Sequence, residues 1–182
     1  MAEIKVSAEM NVSLQRIKQE DHELIWKVLQ DYLVELLNTI GNPEGKNLEE
    51  DISYPYFDSY WEEPNRYPMW AVNSEGENVG FVFLRDTGSH FSIAELYIFP
   101  DQRKKGYGKA LIKSIISHCQ KQKPYKALFA NCFVKNEEGF AFWKENDFYP
   151  VALEESSEGT FHILQKDLQQ IKILEDVKKE LL

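Results

Sequence analysis

Short segments of alternating or continuous apolar residues are spread along the chain, and each is typical of a β-strand. Two of them flank the polar turn 74–78 and are predicted to form a hairpin. Pro100 ends a further segment, because proline cannot donate to a strand ladder. The predicted strands are residues 11–17, 69–72, 79–84, 91–99, 127–134, 148–153 and 160–165.

Three longer segments repeat apolar residues every three or four positions, which predicts amphipathic helices. Asp21 can cap the first helix, and the turn residues 41–43 end it. The second helix begins near Tyr107, directly after a basic loop. The third helix runs from a capping Asn136 to about Glu145.

Two further segments are less regular. Residues 44–64 are acidic and aromatic, and Pro55 limits them to one or two short helical pieces. Residues 167–182 are predicted to form a C-terminal helix that either packs on the sheet or pairs with a second subunit in a homodimer. The apolar stripe of this helix consists of Leu168, Ile171, Leu174, Val177 and Leu181.

The predicted order β-α-(α)-β-β-β-α-β-α-β-β-α is that of an α+β (mixed α/β) protein. A chain of this length suits a single domain over residues 1–182, in which residues 1–10 form a loose lead-in. No run approaches the roughly 18 apolar residues of a membrane helix, and the N-terminus lacks an apolar signal core. We therefore expect a soluble cytoplasmic protein with no membrane partner, whose Cys119 and Cys132 are buried free thiols.

The charge of the chain is unevenly distributed. The net charge is −9, yet residues 102–136 contain nine Lys or Arg and no Asp or Glu. A nucleic-acid-binding domain is normally basic overall, so we expect no nucleic-acid partner. The basic segment suits a small polyanionic ligand better, although most of its lysines beyond Lys109 are expected to lie on a solvated helix face.

The most informative motif is the basic loop that joins a strand to the second long helix. Glycines let a backbone approach phosphates, and a helix N-terminus offers free N–H groups and the positive end of the helix dipole. The loop matches neither the Walker nor the Rossmann pattern. Its residues are Arg103, Lys104, Lys105, Gly106, Tyr107 and Gly108.

This loop resembles the Q/R-x-x-G-x-G/A signature of the GNAT superfamily of N-acetyltransferases. The strand before it, residues 95–100 (ELYIFP), is similar to the family's E-L-Y-V-x-P segment. Residues 136–148 (NEEGFAFWKENDF) are similar to its N-x-x-A-x-x-F-Y-x-x-x-G-F segment. The resemblance implies a mostly antiparallel sheet splayed between strands 4 and 5 and flanked by helices. It also implies acetyl-CoA as co-substrate and an N-acetyltransferase activity.

The resemblance assigns roles to individual positions. The loop backbone would hold the CoA pyrophosphate, a bulged fourth strand would pair with the pantetheine arm, and Asn136 would bond the arm or the following helix end. The residues expected to bind acetyl-CoA are Leu96, Tyr97, Ile98, Arg103, Lys104, Lys105, Gly106, Tyr107, Gly108, Lys109, Asn136 and Trp143.

Glu95 is the candidate general base, since an amine is mostly protonated at pH 7 and Glu95 lies on the splayed strand. The alternative is an ordinary strand glutamate that points to solvent. Trp143 stands where the family often has the tyrosine that protonates the leaving thiolate, which an indole cannot do. The substitutes considered are Tyr97, Tyr107 and Tyr149, each of which could instead be a packing residue. Asp147 replaces a usual glycine, and Asp tolerates positive φ.

The acceptor is expected to be a small cationic amine: a polyamine, an amino sugar or an amino-acid-like amine. Residues 48–70 combine acidic and aromatic side chains that suit a cation, or they form a solvated acidic face over an aromatic core. A protein acceptor is not distinguished from a small one. The four histidines lack metal-ligand spacing, so no metal is expected. The rival function is a catalytically silent acyl-CoA-binding regulatory or sensing domain.

Overall fold

Seven strands form one sheet in the computed structural model, which describes residues 10–168. In chain order the strands are β1 (Val12–Arg16), β2 (Arg66–Asn73), β3 (Asn78–Asp86), β4 (Phe91–Ile98), β5 (Ala127–Phe133), β6 (Tyr149–Ser156) and β7 (Gly159–Asp167). Their order across the sheet is β1-β2-β3-β4-β5-β7-β6. Every neighbouring pair is antiparallel except β4 and β5, which are parallel. The predicted mixed α/β class and splayed sheet are therefore confirmed.

Within the described residues, four α-helices cover the two faces of the sheet: α1 (His22–Ile40), α2 (Ser59–Glu62), α3 (Tyr107–Gln122) and α4 (Glu137–Glu145). One hydrophobic core joins α3 and α4 to one face, and it includes Leu111, Ile115 and Trp143. The second core joins α1 and α2 to the other face. The apolar stripes predicted for α1 and α3 supply these buried residues. No helix within residues 10–168 is both long and apolar enough to cross a membrane.

The strands β4 and β5 stay together for only three residue pairs. They pair at Phe91 with Leu128, and this register ends where Ile93 meets Ala130. Beyond that point the two strands separate and leave a gap in the middle of the sheet. A β-bulge lies at the same place, because Phe83 pairs with Glu95 whereas Leu84 pairs with Ile93, which leaves Ala94 as an extra residue. The family resemblance implied a bulge in this strand at residues 96–98, and the structure has it slightly earlier, at Ala94.

Several predicted element boundaries were wrong. The strand β2 begins at Arg66 rather than Met69, and β6 extends to Ser156 because the β6–β7 hairpin continues to a tight turn. The final strand β7 runs to Asp167, so residue 167 is not the start of a helix. The rest of the predicted C-terminal helix, residues 169–182, lies outside the described residues.

The other local predictions are mostly confirmed. Residues 44–64 contain the single four-residue helix α2, which starts after Pro55. Asp21 occupies the N-cap position of α1, but its side chain makes no capping hydrogen bond. Asp147 adopts a φ of 65°. Both cysteines are buried free thiols, and burial raises the pKa of Cys119 to about 12 and that of Cys132 to about 11, so neither is a reactive thiolate at neutral pH.

Candidate active site

A cleft of about 1510 Å³ opens where β4 and β5 separate. The splayed ends of both strands line it, together with α1, the start of α3 and the loop after α1. Its volume exceeds the roughly 300–1,000 Å³ of pockets that hold drug-sized ligands. A long ligand with separate binding segments therefore fits this cleft.

The bulge at Ala94 determines the direction in which Glu95 points. Ile93 belongs to the core on the α3 side of the sheet, and strict alternation would place Glu95 and Tyr97 on that side too. The extra residue reverses the alternation, so Tyr97 packs into the core on the α1 side. Glu95 turns the same way and meets the tyrosines of α1 and of the loop that follows it.

Glu95 is a partly buried carboxylate that accepts two tyrosine hydrogen bonds. The Tyr32 hydroxyl donates to its Oε2 over 2.5 Å, and the Tyr54 hydroxyl donates to its Oε1 over 2.9 Å. The two hydrogen bonds lower the pKa of Glu95, but the effect of burial is larger and raises the pKa to about 7. The carboxyl group therefore changes its ionisation near neutral pH, where a general base is most effective. It is not a solvent-facing strand glutamate.

The basic loop has the backbone form that a phosphate site needs. Lys104 has a φ of 59° and Gly106 has a φ of 92°, so the chain turns sharply into α3. Gly106 is the N-cap of α3 and has no side chain that could make a capping hydrogen bond. The first N–H groups of the helix have no intrahelical partners, so they can serve as anion donors.

The loop cations differ in their surroundings. Arg103 is held in place, since its guanidinium forms a 2.7 Å ion pair with Glu35, donates to the Ile98 carbonyl over 2.9 Å and lies 5.2 Å from the centre of the Tyr97 ring. Lys104 and Lys109 line the cleft. Lys105 does not line it, and its ammonium lies 3.4 Å from the Gln102 side-chain oxygen. The charge predicted from Arg103 is thus already balanced by Glu35.

Gly108 has a packing role in addition to its place beside the cleft. A Cβ atom there would lie 2.7 Å from Cε2 of Phe142, a distance shorter than any ordinary contact. Gly108 therefore lets the first turn of α3 approach α4. Substituting it would disturb this packing as well as any bound phosphate.

Asn136 and Trp143 hold α4 against the sheet. The Asn136 side-chain oxygen accepts a 3.0 Å hydrogen bond from the Gly139 N–H and caps the helix. Trp143 is 8% exposed, and its ring lies 4.9 Å from that of Phe148. Both residues line the cleft as well as supporting its wall.

The three tyrosines predicted as alternative acids have different positions. Tyr149 lies on the outer strand β6 and donates to Asp167, and it does not line the cleft. The Tyr107 hydroxyl lies 3.5 Å from the Asn73 amide, in the core on the α3 side. Tyr97 lines the cleft, and its hydroxyl donates to Glu35 over 3.0 Å.

Tyr32 and Tyr54 contact Glu95 directly, a role that the sequence patterns do not predict. Tyr32 lies among the apolar residues of α1 at helical spacing, which is typical of a core residue. Tyr54 was grouped with the aromatic residues of the expected acceptor segment. The sequence contains one indication of this role. A tyrosine at a buried position needs a hydrogen-bond partner for its hydroxyl, so Tyr32 must meet a polar group.

The acidic residues of segment 48–70 do not form the acceptor wall, contrary to the first expectation. Only residues 52–56 of this segment line the cleft. Asp51 accepts from the Trp26 indole, Asp58 pairs with His22, and Glu63 pairs with Arg66. The solvated-face alternative therefore describes these acids. The carboxylates that line the cleft come from other elements and include Glu35, Glu44, Glu95 and Glu158.

One side of the cleft is bridged by charged residues distant in sequence. Lys46, in the loop after α1, pairs with Glu158 in the β6–β7 turn and with Glu44 over 3.1 Å. This bridge ties the loop to the hairpin, and Glu158 lies within electrostatic range of Glu95. Within residues 10–168 no three His, Cys, Asp or Glu side chains form a group that could hold a metal ion.

Comparisons with known proteins agree with this architecture. The solved structures that it resembles include spermidine N-acetyltransferase from Vibrio cholerae with CoA and spermine, at 13% identity and a TM-score of 0.62, over 87% of this chain and 96% of that one. Aminoglycoside acetyltransferase AAC(6')-Ib with ribostamycin and coenzyme A matches at 14% identity and a TM-score of 0.69. The match covers 89% of this chain and 96% of that one. A GNAT-family protein from Desulfovibrio desulfuricans matches at 16% identity and a TM-score of 0.64. The match covers 86% of this chain and 99% of that one. These likenesses concern the fold.

The family assignment comes from the sequence match. The model of the acetyltransferase (GNAT) family matches residues 26–148, which is more than half of the chain. No curated protein sequence gives a significant match. The protein therefore belongs to the GNAT acetyltransferase family, as its loop and flanking segments predicted.

Proposed function

We propose that this protein transfers an acetyl group from acetyl-CoA to the primary amine of a small cationic acceptor. The observation that carries the proposal is Glu95, a carboxylate held in the cleft by two tyrosine hydroxyls with a pKa raised to about 7. A structural glutamate on a strand surface needs neither the burial nor the two donors.

The donor half of the cleft suits CoA. The N-terminus of α3 supplies N–H groups and the helix dipole, and Lys104 and Lys109 add positive charge beside it. The backbone of β4 beyond Ile93 and that of β5 beyond Ala130 do not pair with each other. A pantetheine arm can enter this gap and bond to the strand backbone as a short extra strand would.

The acceptor half suits an amine. An amine with a pKa near 10 is mostly protonated at neutral pH, so it arrives as a cation and must lose a proton before its nitrogen can attack. The ammonium proton leaves to water, and Glu95 accepts the second proton, which the nitrogen loses as the amide forms. A backbone N–H of β4 stabilises the negative charge that develops on the thioester oxygen, which is the larger contribution in most acyl transfers.

The charges around Glu95 favour a cationic acceptor. Glu44 and Glu158 share the single ammonium of Lys46, so this corner of the cleft remains net negative. Tyr54 and Tyr56 also line the cleft and add aromatic surface to it. Spermine and ribostamycin, the ligands in two of the similar structures, are cationic amines of this kind. We place the reaction in a reducing compartment, such as the cytoplasm, because both cysteines are free thiols.

A thiol-release assay tests the proposal. Acetyl-CoA is incubated with the protein and with polyamines, aminoglycosides, free amino acids or lysine peptides, and matched alcohols without amines serve as controls. We expect turnover with at least one class of small cationic amine and none with the alcohols. Absence of turnover on every amine, with CoA still bound in calorimetry, would contradict it.

That negative outcome would favour a catalytically silent acyl-CoA-binding domain. The specific observation behind this second candidate is Trp143, whose buried indole cannot supply a proton to the leaving thiolate. An active enzyme with this indole needs either no acid or a different one.

A further inference from the structure

The leaving group of the proposed reaction is a thiolate, and its proton must come from a group inside the cleft or from water. A phenol is the side chain best able to replace the missing family tyrosine. Within residues 10–168 five tyrosines line the cleft: Tyr32, Tyr54, Tyr56, Tyr97 and Tyr107.

Three of these tyrosines are poorly placed for a proton relay that starts at Glu95. The Tyr97 hydroxyl donates to Glu35, which also binds Arg103. The Tyr107 hydroxyl is in the core on the α3 side, next to Asn73. Tyr56 is 61% exposed, and its ring lies beside the Arg66 guanidinium. Only Tyr32 and Tyr54 touch Glu95.

Tyr32 and Tyr54 contact Glu95 at different levels along the strand. The ring of Tyr54 lies 6.4 Å from that of Phe83, which pairs with Glu95 itself. The ring of Tyr32 lies 5.4 Å from that of Tyr97 and 5.9 Å from that of Phe81, a pair two residues further along β4 toward the splayed end. Tyr32 is also in electrostatic range of Cys132 on β5. The Tyr32 side chain therefore lies on the splayed-end side of Glu95, and both residues line the cleft.

We propose that Tyr32 is the acid of the reaction and relays a proton from Glu95 to the sulfur of the departing CoA. This inference rests on the proposed function. It adds a catalytic residue on α1, and it explains how the chemistry proceeds with Trp143 at the position of the family tyrosine.

The proton and electron movements balance. The lone pair of the neutral amine forms the N–C bond to the acetyl carbon, and the C–S bond breaks with its electron pair moving to sulfur. The nitrogen proton passes to Glu95, the phenol proton of Tyr32 passes to sulfur, and the proton on Glu95 restores the phenol. The products are the amide and the CoA thiol, and both side chains return to their starting states.

The charges around Tyr32 fit such a coupled transfer. Burial and the charges of Glu95 and Glu35 raise the pKa of Tyr32 well above its usual value. A free tyrosinate is thus avoided, and the phenol can give up its proton only as Glu95 delivers another. Arg103 balances Glu35, and the thiol of Cys132 is uncharged at neutral pH because burial raises its pKa to about 11.

The test compares Tyr32→Phe with Tyr54→Phe on two donors. Each variant removes one hydrogen bond to Glu95, so Tyr54→Phe is the matched control. The donors are acetyl-CoA and its selenium analogue, whose selenol leaving group is more acidic and needs no acid. We expect Tyr32→Phe to lower kcat on acetyl-CoA by about 10²- to 10⁴-fold. On the selenium donor the loss in kcat should be smaller by at least about tenfold, because the selenol leaves without an acid. The control should lose the same factor on both donors.

Equal losses for Tyr32→Phe on the two donors, or no loss at all, would overturn the assignment. Circular dichroism and CoA calorimetry check that the variant folds and binds. If it does not fold, incorporation of 3,5-difluorotyrosine at position 32 keeps the shape with a more acidic phenol. This replacement should retain activity and weaken the dependence of kcat on the leaving group, and an unchanged dependence contradicts the relay.

Failure of the relay is distinguishable from failure of the proposed function. If the wild-type protein acetylates no amine with either donor, the proposed function fails. If the wild-type protein is active and the Tyr32 variants show no leaving-group effect, only the relay fails.

Discussion

At the scale of single residues, the side chain of Glu95 has the most unusual environment in the cleft. A glutamate in water has a pKa near 4.3, and burial here raises the pKa to about 7. The two tyrosine hydroxyls oppose this rise because they bond to the charged carboxylate. The carboxyl group is thereby fixed in orientation, and its pKa lies where the proposed base needs it.

Removing one of these hydroxyls should move the pH dependence of catalysis in a defined direction. Glu95 acts as a base only when it is unprotonated, so kcat/KM should fall as the pH drops below about 7. In Tyr54→Phe the carboxylate loses a stabilising hydrogen bond, its pKa rises, and the inflection moves to higher pH by about one unit. The measurement is a pH profile of kcat/KM, and an inflection at the wild-type pH would show that Tyr54 does not act on Glu95.

The sequence predicted some site residues and missed others for physical reasons. Glu95 and the glycine loop were identifiable because their motifs are local in sequence. Tyr32 was not, because its place on the apolar stripe of α1 gives no sign that its hydroxyl meets a strand residue 63 positions away. The carboxylates of the cleft were missed because Glu44 and Glu158 meet only through the fold.

At the scale of elements, the bulge in β4 connects the sheet to the chemistry. Without Ala94 as an extra residue, Glu95 would point to the face covered by α3. The sequence predicted β4 and its splay from the family resemblance, but a period-two pattern cannot locate one inserted residue. The same limit applies to the ends of β2, β6 and β7, which hairpin pairing extends beyond the apolar residues.

The pairing of β3 with β4 near the site depends on a glycine. A Cβ on Gly80 would lie 2.1 Å from the carbonyl oxygen of Tyr97, a backbone atom that cannot move without shifting the strand. We expect Gly80→Ala to lower the free energy of unfolding by about 1–3 kcal/mol, as overpacking commonly does. Urea denaturation measures the change. A variant as stable as the wild type would mean that the two strands are not in such close contact.

The start of α3 is the element that should determine CoA affinity. Lys109→Glu places a negative charge beside the helix N-terminus, and we expect it to raise the Kd for CoA about tenfold, since hydrogen bonds to charged groups contribute about 1.5–3 kcal/mol. Lys27→Glu is the matched control, because Lys27 is exposed on α1 and does not line the cleft. Isothermal calorimetry with CoA compares them. Equal affinities for the two variants would remove this helix end from the donor site.

At the scale of the whole molecule, the cleft is assembled from parts that lie far apart in the chain. The helices on the two faces hold the splayed strands from both sides, and the Lys46–Glu158 pair closes one side of the gap. Cations of the basic segment and carboxylates from the rest of the chain both line the cleft, and we propose that they serve the CoA donor and the amine acceptor respectively. The net charge of −9 does not indicate this division, whereas the positions of the charges along the sequence do.

The central claim is that this cleft acetylates amines with Glu95 as the base. The most direct measurement is the pH dependence of kcat/KM for wild type and for Glu95→Gln, on the best amine acceptor. We expect the wild-type rate to rise with pH through an inflection near 7. Glu95→Gln should be slower by about 10²- to 10⁴-fold above that pH and should lack the inflection. A variant that keeps the wild-type rate and the wild-type profile would contradict the account.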